Sequence, residues 1–212
     1  MISIKNATLK LKKFTINPIS MDIPKGYIIG VVGPNASGKS TFLKMIMGGY
    51  NKMKGTILID GIDVHKNRRE ALKNVGFISE ENSFFEGYSV IENAEILGEL
   101  YPDWSFDKFK SLSKKFGIGL TTPVGKLSKG NRIRFQLAFA LSCSPKLLIL
   151  DEPANGLDPV FRVEFYKIMQ KVVAENEVTI IIATHLMEEL EPIMDYLIKV
   201  DNGTYSISRM GD

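Results

Sequence analysis

Nine residues, GPNASGKST from Gly33 to Thr41, constrain this chain more than any other stretch. Before them, Gly26-Tyr27-Ile28-Ile29-Gly30-Val31-Val32 is a short apolar, β-branched run, which reads as a buried strand. After them, Phe42 to Met47 are good helix formers, closed by Gly48-Gly49 as a C-cap. Strand, glycine-rich turn, GK[ST] and helix together form the context of a phosphate-binding loop. The chemistry follows from the residue types. Gly33 and Gly38 let the backbone curl so that successive N–H groups face an anion. The helix N-terminus adds its positive dipole end. Lys39 supplies a point charge for the outer phosphates and Ser40 a hydroxyl oxygen for Mg²⁺. Gly33, Pro34, Asn35, Ala36, Ser37, Gly38, Lys39, Ser40 and Thr41 are therefore expected to form a nucleoside triphosphate site.

A length of 212 residues suits one large domain, or one domain with a sizeable insertion. No apolar run approaches the roughly 20 residues that span a bilayer, and the N-terminus carries no signal-peptide apolar core. A membrane role would thus be played from the water side. The 27 Lys and Arg against 24 Asp and Glu leave a net charge of +3, too small to argue for nucleic acid. No nucleic-acid partner is expected. The single cysteine, Cys143, excludes an intramolecular disulfide and suits a reducing compartment, where it reads as a small buried side chain.

Taken in order, residues 1–24 alternate as strands, with Pro18 and Pro24 marking edges or ends. Gly55–Ile59 and Ile62–Val64 flank Asp60-Gly61, a strong hairpin signal. This first part predicts an antiparallel β-layer attached to the strand before the loop. Val75–Ser79 is another short apolar strand. From about Ser89 to Ser142 the pattern predicts helices only. Ser89 opens the first through a capping box with Glu92, Ser105 the second, over Phe106–Phe116, and Ser128 the third, to about Leu141. The strands then resume. Lys146–Leu150 ends in Asp151-Glu152, a helix runs over Pro159–Glu175, and Val178–Ala183 ends at Thr184-His185. A short acidic helix over Met187–Ile193 and a hairpin about Asn202-Gly203 complete the chain.

Polar residues recur directly after the apolar strands, where open α/β sheets bind ligands. Each alone has a plain reading: Asp151-Glu152 as a loop start, His185 as a helix cap, Leu127–Asn131 as the start of a helix capped by Ser128. Their joint order decides, and it resembles the nucleotide-binding subunit of ABC transporters over nearly the whole chain. GPNASGKST matches Walker A. LLILDE, Leu147–Glu152, matches Walker B with its following glutamate. LSKGN, Leu127–Asn131, stands at the LSGGQ signature, and NGLDP, Asn155–Pro159, at the D-loop. His185 matches the switch histidine, and Glu80 falls at the Q-loop glutamine.

The resemblance implies an α/β fold: a P-loop NTPase core with a mostly parallel sheet, an antiparallel β-layer and an inserted helical subdomain. Residues 1–83 and 143–212 would form the core and 84–142 the helical signature subdomain. ATP and Mg²⁺ are the implied cofactors. Ser40, Asp151 and Glu80 would hold the metal, while Glu152 activates water and His185 and Lys39 contact the γ-phosphate. Ser128, Gly130 and Asp158 would complete the ATP site of a second subunit, making an ATP-dependent homodimer or heterodimer. An integral membrane transporter subunit is the implied partner, with this chain peripheral on the cytoplasmic face. Three features depart from the family pattern. Glu80 replaces Gln, and Lys129 and Asn131 alter the signature, although LSKG resembles bacterial ABC-2-type exporters of the bacitracin-resistance kind. For the adenine-stacking aromatic, Phe14 and Tyr27 are the nearest residues, with Phe14 favoured and Tyr27 assigned to the core.

The leading expectation is an ATPase subunit powering export. The alternative is an ABC ATPase that transduces force to a membrane protein for regulation or division without moving a solute. Soluble chromosome-type members carry long coiled-coil arms, for which Glu81 to Lys126 leaves no room, and ribosome-acting members have two tandem ATPase domains. Of the aromatics Phe84, Phe85 and Tyr88, two are expected to pack inside the helical part and one to face a membrane partner.

Overall fold

The computed structural model describes residues 1–79, 84–155 and 157–211. The chain opens with β1 (Ile2–Lys10) and β2 (Thr15–Ile23), both of which put every second apolar side chain into the interior: Ile2, Ile4 and Leu9, then Ile19, Met21 and Ile23. The strict alternation of β1 breaks at Asn6, at φ 48°, where the register against β2 shifts and Ala7 is brought inward. Next come β3 (Ile28–Val32), α1 (Lys39–Ile46), β4 (Lys54–Ile59) and β5 (Ile62–Asp63). Asp60 and Gly61 both have positive φ, 49° and 80°, the turn that joins β4 to β5. These four antiparallel strands make one sheet in the order β2-β1-β4-β5. Pro18 is tolerated because β2 lies at its edge.

The expected antiparallel layer is present, but it is joined to the strand before the loop by packing rather than by strand pairing, because β3 belongs to the other sheet. After α2 (Arg68–Leu72) and β6 (Val75–Ser79) come α3 (Val90–Gly98), α4 (Phe106–Lys115), α5 (Lys129–Ser142), β7 (Leu147–Asp151), α6 (Pro159–Asn176), β8 (Thr179–Thr184), α7 (Met187–Leu190), β9 (Tyr196–Asp201) and β10 (Thr204–Arg209). The second sheet runs β10-β9-β3-β8-β7-β6, parallel throughout except for β10. Its central strands carry continuous apolar runs, such as Leu147–Leu150 and Ile180–Ala183, because both faces are covered. The two sheets share a core that includes Ile4, Ile57, Val31, Phe42 and Ile149. They are tied at one edge, where Asn17 N–H donates to Gly203 O at 2.9 Å.

The helical block rests on the predicted caps. Ser89 and Glu92 form a reciprocal capping box, and Ser105 and Ser128 cap α4 and α5 through the N–H groups of Lys108 and Asn131. Inside it, Phe109, Phe135 and Phe139 pack with Trp104 at centroid separations of 5.9–6.5 Å. Phe109 and Phe116 are buried, whereas Phe106 and Leu112 are half-buried. Two local expectations change, and one short helix was not foreseen. The stretch is not wholly helical, since Ser89 bridges Pro123 and Val124–Lys126 form a 3₁₀ turn. The α2 helix, only five residues, had no visible period. And α7 stops at Leu190, short of Ile193: Glu191 is still helical at φ −49°, ψ −43°, but Pro192 has no N–H to continue the ladder.

Candidate functional site

The loop after β3 has the backbone that its glycines and small residues allow. Ser37 N–H donates to Pro34 O at 3.2 Å, Ala36 sits at φ 61° and Gly38 at φ 110°. Gly38 cannot be replaced cheaply, since a Cβ there would lie 2.4 Å from Phe14 Cζ and 2.6 Å from the Tyr205 hydroxyl. Lys39 is buried, and its ammonium donates to Gly33 O at 2.9 Å and Pro34 O at 3.1 Å. Ser37 Oγ is buried with no hydrogen-bond partner among the described residues. A buried hydroxyl of that kind is costly unless something accepts from it or donates to it, and a phosphate oxygen would.

The strand ends converge on this loop. Because β7, β8 and β3 are neighbours and parallel, the residues just past Leu150, Thr184 and Val32 emerge on one rim. Asp151 Oδ1 accepts from Ser40 Oγ at 2.9 Å. Burial pushes the Asp151 carboxyl above its ordinary value; the Ser40 hydrogen bond opposes that shift and the Glu152 charge adds to it. Glu152, at φ 50°, reaches Lys39 Nζ with one oxygen at 3.5 Å and His185 Nδ1 with the other at 2.9 Å. So five predicted residues, Lys39, Ser40, Asp151, Glu152 and His185, form one connected cluster. A hydroxyl beside a carboxylate suits a hard cation, and Mg²⁺ commonly takes only one or two carboxylates with phosphate and water completing its shell. The described residues hold no group of three or more His, Cys, Asp or Glu suited to a metal.

The other predicted residues fall elsewhere. Ser128 and Asp158 cap the first turns of α5 and α6, accepting from Asn131 N at 3.2 Å and Phe161 N at 2.8 Å. Asp158 is also 3.4 Å from Arg134. Among the described residues, no hydrogen bond joins Ser128 to Gly33–Thr41. Gly130 follows on the first turn of α5. Glu80 lies outside the described residues. Phe14 packs against Gly38, whereas Tyr27 lies at the far end of β3, edge-on to Tyr196 at 5.2 Å. The sequence reading missed Tyr205. Its hydroxyl donates to Gly38 O at 3.0 Å, its ring stacks on Phe42 at 4.7 Å, and burial raises its phenol above the ordinary value. Nothing in the alternating pattern of β10 marks that residue out.

The aromatic expectation was also off by one. Phe84 alone packs inward, 4.4 Å from Phe135, while Phe85 and Tyr88 are each about half exposed, 48% and 49%.

The sequence profile of the family described as ABC transporter matches residues 16–155. The chain belongs to the ABC transporter family. Over 200 residues it is 35% identical to the lantibiotic transport ATP-binding protein SrtF of Streptococcus pyogenes, covering 93% of this chain and 85% of that one. Over 185 residues it is 31% identical to the bacitracin transport ATP-binding protein BcrA of Bacillus licheniformis, covering 86% of this chain but 60% of that one. A dimeric ATP-binding cassette solved in a post-hydrolysis state with ADP and Pi superposes with a TM-score of 0.85 at 22% identity, covering all of both chains. The α/β architecture is thus that of ABC ATPase cassettes, and the chain is an ATP-binding, ATP-hydrolysing subunit of this family. No helix among the described residues is long and apolar enough to cross a membrane.

Proposed function

We propose that this chain hydrolyses ATP to drive export through a separate membrane subunit, working as a dimer on the cytoplasmic face. The observation that carries the catalytic part is the connected cluster at the strand ends, from Ser40 and Asp151 through Lys39 and Glu152 to His185. Ser40 and Asp151 would hold Mg²⁺, with Glu80 as a third oxygen donor, and the metal when bound neutralises charge on the phosphates. Gly33–Thr41 present backbone N–H groups and the α1 terminus to the triphosphate, and Lys39 exchanges loop carbonyls for phosphate oxygens. Glu152 takes a proton from the attacking water as the water oxygen bonds to the γ-phosphorus and the bond from that phosphorus to the β–γ bridging oxygen breaks, with ADP as the leaving group. His185 hydrogen-bonds the γ-phosphate and holds Glu152 in place. Phe14 offers its ring to adenine. Ser128 and Gly130 on α5, with Asp158, act on ATP held by the second subunit, which is why one chain with a single GKST and a single LSKGN needs a partner.

Export is favoured by the names of the relatives that match, for lantibiotic and bacitracin transport. We place the helical subdomain at 84–142, and the membrane subunit against its exposed aromatics. Phe84, which precedes Phe85 in the chain, lines a cavity of about 210 Å³ with Leu97, Leu100, Tyr101 and Phe139, and Leu100 is 71% exposed. A cytosolic helix carrying apolar side chains fits such a groove. Phe85→Asp and Tyr88→Asp should leave the ATPase of the isolated subunit intact and abolish co-purification with the membrane subunit. Retained pairing in both variants refutes this placement.

A further inference from the structure

Among the described residues, β6 is the last strand of its sheet, so its outward edge faces no further strand. At its end, Ser79, this lack is made good by a side chain. Gln136, on α5, is 6% exposed; its Oε1 accepts from Ser79 N–H at 3.1 Å and its Nε2 donates to Ser79 O at 3.0 Å. A primary amide offers one acceptor and one donor side by side, the same pair that another strand would present. The contact is both reciprocal and buried, so removing the amide takes two hydrogen bonds from the Ser79 backbone at once.

Both ends of this clip lead to the ATPase. Ser79 is the register partner of Asp151, whose carboxylate receives Ser40. Gln136 lies eight residues past Ser128 on a continuous helix, a rigid span of about 12 Å. We propose that Gln136 is a positioning residue that locks the helix bearing Ser128 and Gly130 to the strand beside Asp151, so that engagement of the second subunit's ATP at one end sets the carboxylate at the other. This inference rests on the site assignment proposed above. It adds a residue that contacts neither nucleotide nor metal. Because the amide does not titrate, its effect is the same at every pH.

The test uses the full chain and steady-state ATP hydrolysis, together with Mg-ATP affinity measured by a fluorescent ATP analogue. Gln136→Met keeps length and volume without donor or acceptor. A displaced catalytic group costs rate more than ground-state binding, so kcat should fall on the order of tenfold while KM and Kd for Mg-ATP change by less than about twofold. Gln136→Glu keeps the acceptor for Ser79 N–H and loses the donor, so its kcat should lie between wild type and Gln136→Met. Wild-type kcat in either folded variant overturns the proposal, and so does a loss of kcat and binding in equal proportion. Should both variants fail to fold, hydrogen exchange on the Glu152→Gln chain decides. Adding Mg-ATP should slow exchange over residues 75–79 together with 129–142, and protection of the latter alone overturns the coupling. Full activity in Asp151→Asn would instead sink the site assignment, whatever Gln136 does.

Discussion

Replacing Glu152 by Gln separates two things that its carboxylate does. Gln has the same shape, so the backbone at φ 50° and the packing around it are unchanged. What goes is a base and a negative charge. Loss of the base should slow hydrolysis at least ~100-fold, the scale of a positioned general base. The charge matters separately, because Glu152 stands 3.5 Å from the Lys39 ammonium, and that ammonium must turn to phosphate when ATP binds. At this distance the attraction is on the order of 5 kcal/mol for an effective dielectric near 20, and desolvation of the two charges takes back most of it, leaving about 1 kcal/mol. Freeing Lys39 from that pairing should tighten Mg-ATP binding about fivefold. The variant should therefore bind ATP more tightly, hydrolyse it far more slowly and accumulate as an ATP-bound dimer. Phosphate release, titration with a fluorescent ATP analogue and size-exclusion chromatography read the three effects. Wild-type turnover refutes the base. Slow turnover with unchanged affinity refutes the competition between Glu152 and phosphate for Lys39.

Two further outcomes are expected. As the proposed third oxygen donor, Glu80 would keep a ligand for Mg²⁺ but add a negative charge relative to Gln, so without Mg²⁺ wild type should bind ATP more weakly than Glu80→Gln, with added Mg²⁺ narrowing the gap and Glu80→Ala losing hydrolysis; superimposable ATP titrations across a Mg²⁺ series would remove Glu80 from the metal site. Cys143 is buried and its thiol is pushed up to about 12 from 9.0, so the fold holds a proton that the unfolded chain releases. Its share of stability is therefore complete below about pH 9 and is lost as pH rises toward 12, a slope that Cys143→Ala should remove from alkaline unfolding curves.

What could be read from the sequence was whatever a few adjacent residues decide. Asp60-Gly61 and Asn202-Gly203 demand positive φ wherever they stand, and both turns have it. GKST between a β-branched run and a helix carries its own geometry, and the caps Ser89, Ser105 and Ser128 need only the residue three places on. The cluster around Glu152 was legible for a related reason: its members directly follow buried strands or lie in the loop, and parallel neighbours deliver such residues to one rim. Partners far apart in the chain were not legible. Tyr205 meets Gly38 across 167 residues and Gln136 meets Ser79 across 57, and neither residue type announces such a contact. The order of Phe84, Phe85 and Tyr88 was misjudged because inward packing there is set by Phe135 and Phe139 on α5, not by local spacing.

The cluster also indicates how binding and hydrolysis are kept apart. Lys39 is held by two carbonyls of its own loop and by Glu152, Ser40 by Asp151, and Glu152 by His185. Each of these contacts joins residues of one core, so phosphate and metal can enter by exchanging partners already in place, at little cost in new order. The residues that would finish the chemistry stand on other elements, with Ser128 at the head of α5 and Asp158 at the head of α6, each engaged in capping its own helix. In the proposed dimer, a second subunit's ATP would draw Ser128 from the Asn131 N–H, a weak contact at 3.2 Å, at little cost. The expensive part is shifting α5 against the core, because the Gln136 clip ties it to the end of β6. Nucleotide capture can thus be a property of one chain, while the rate of cleavage is set by how firmly two chains close.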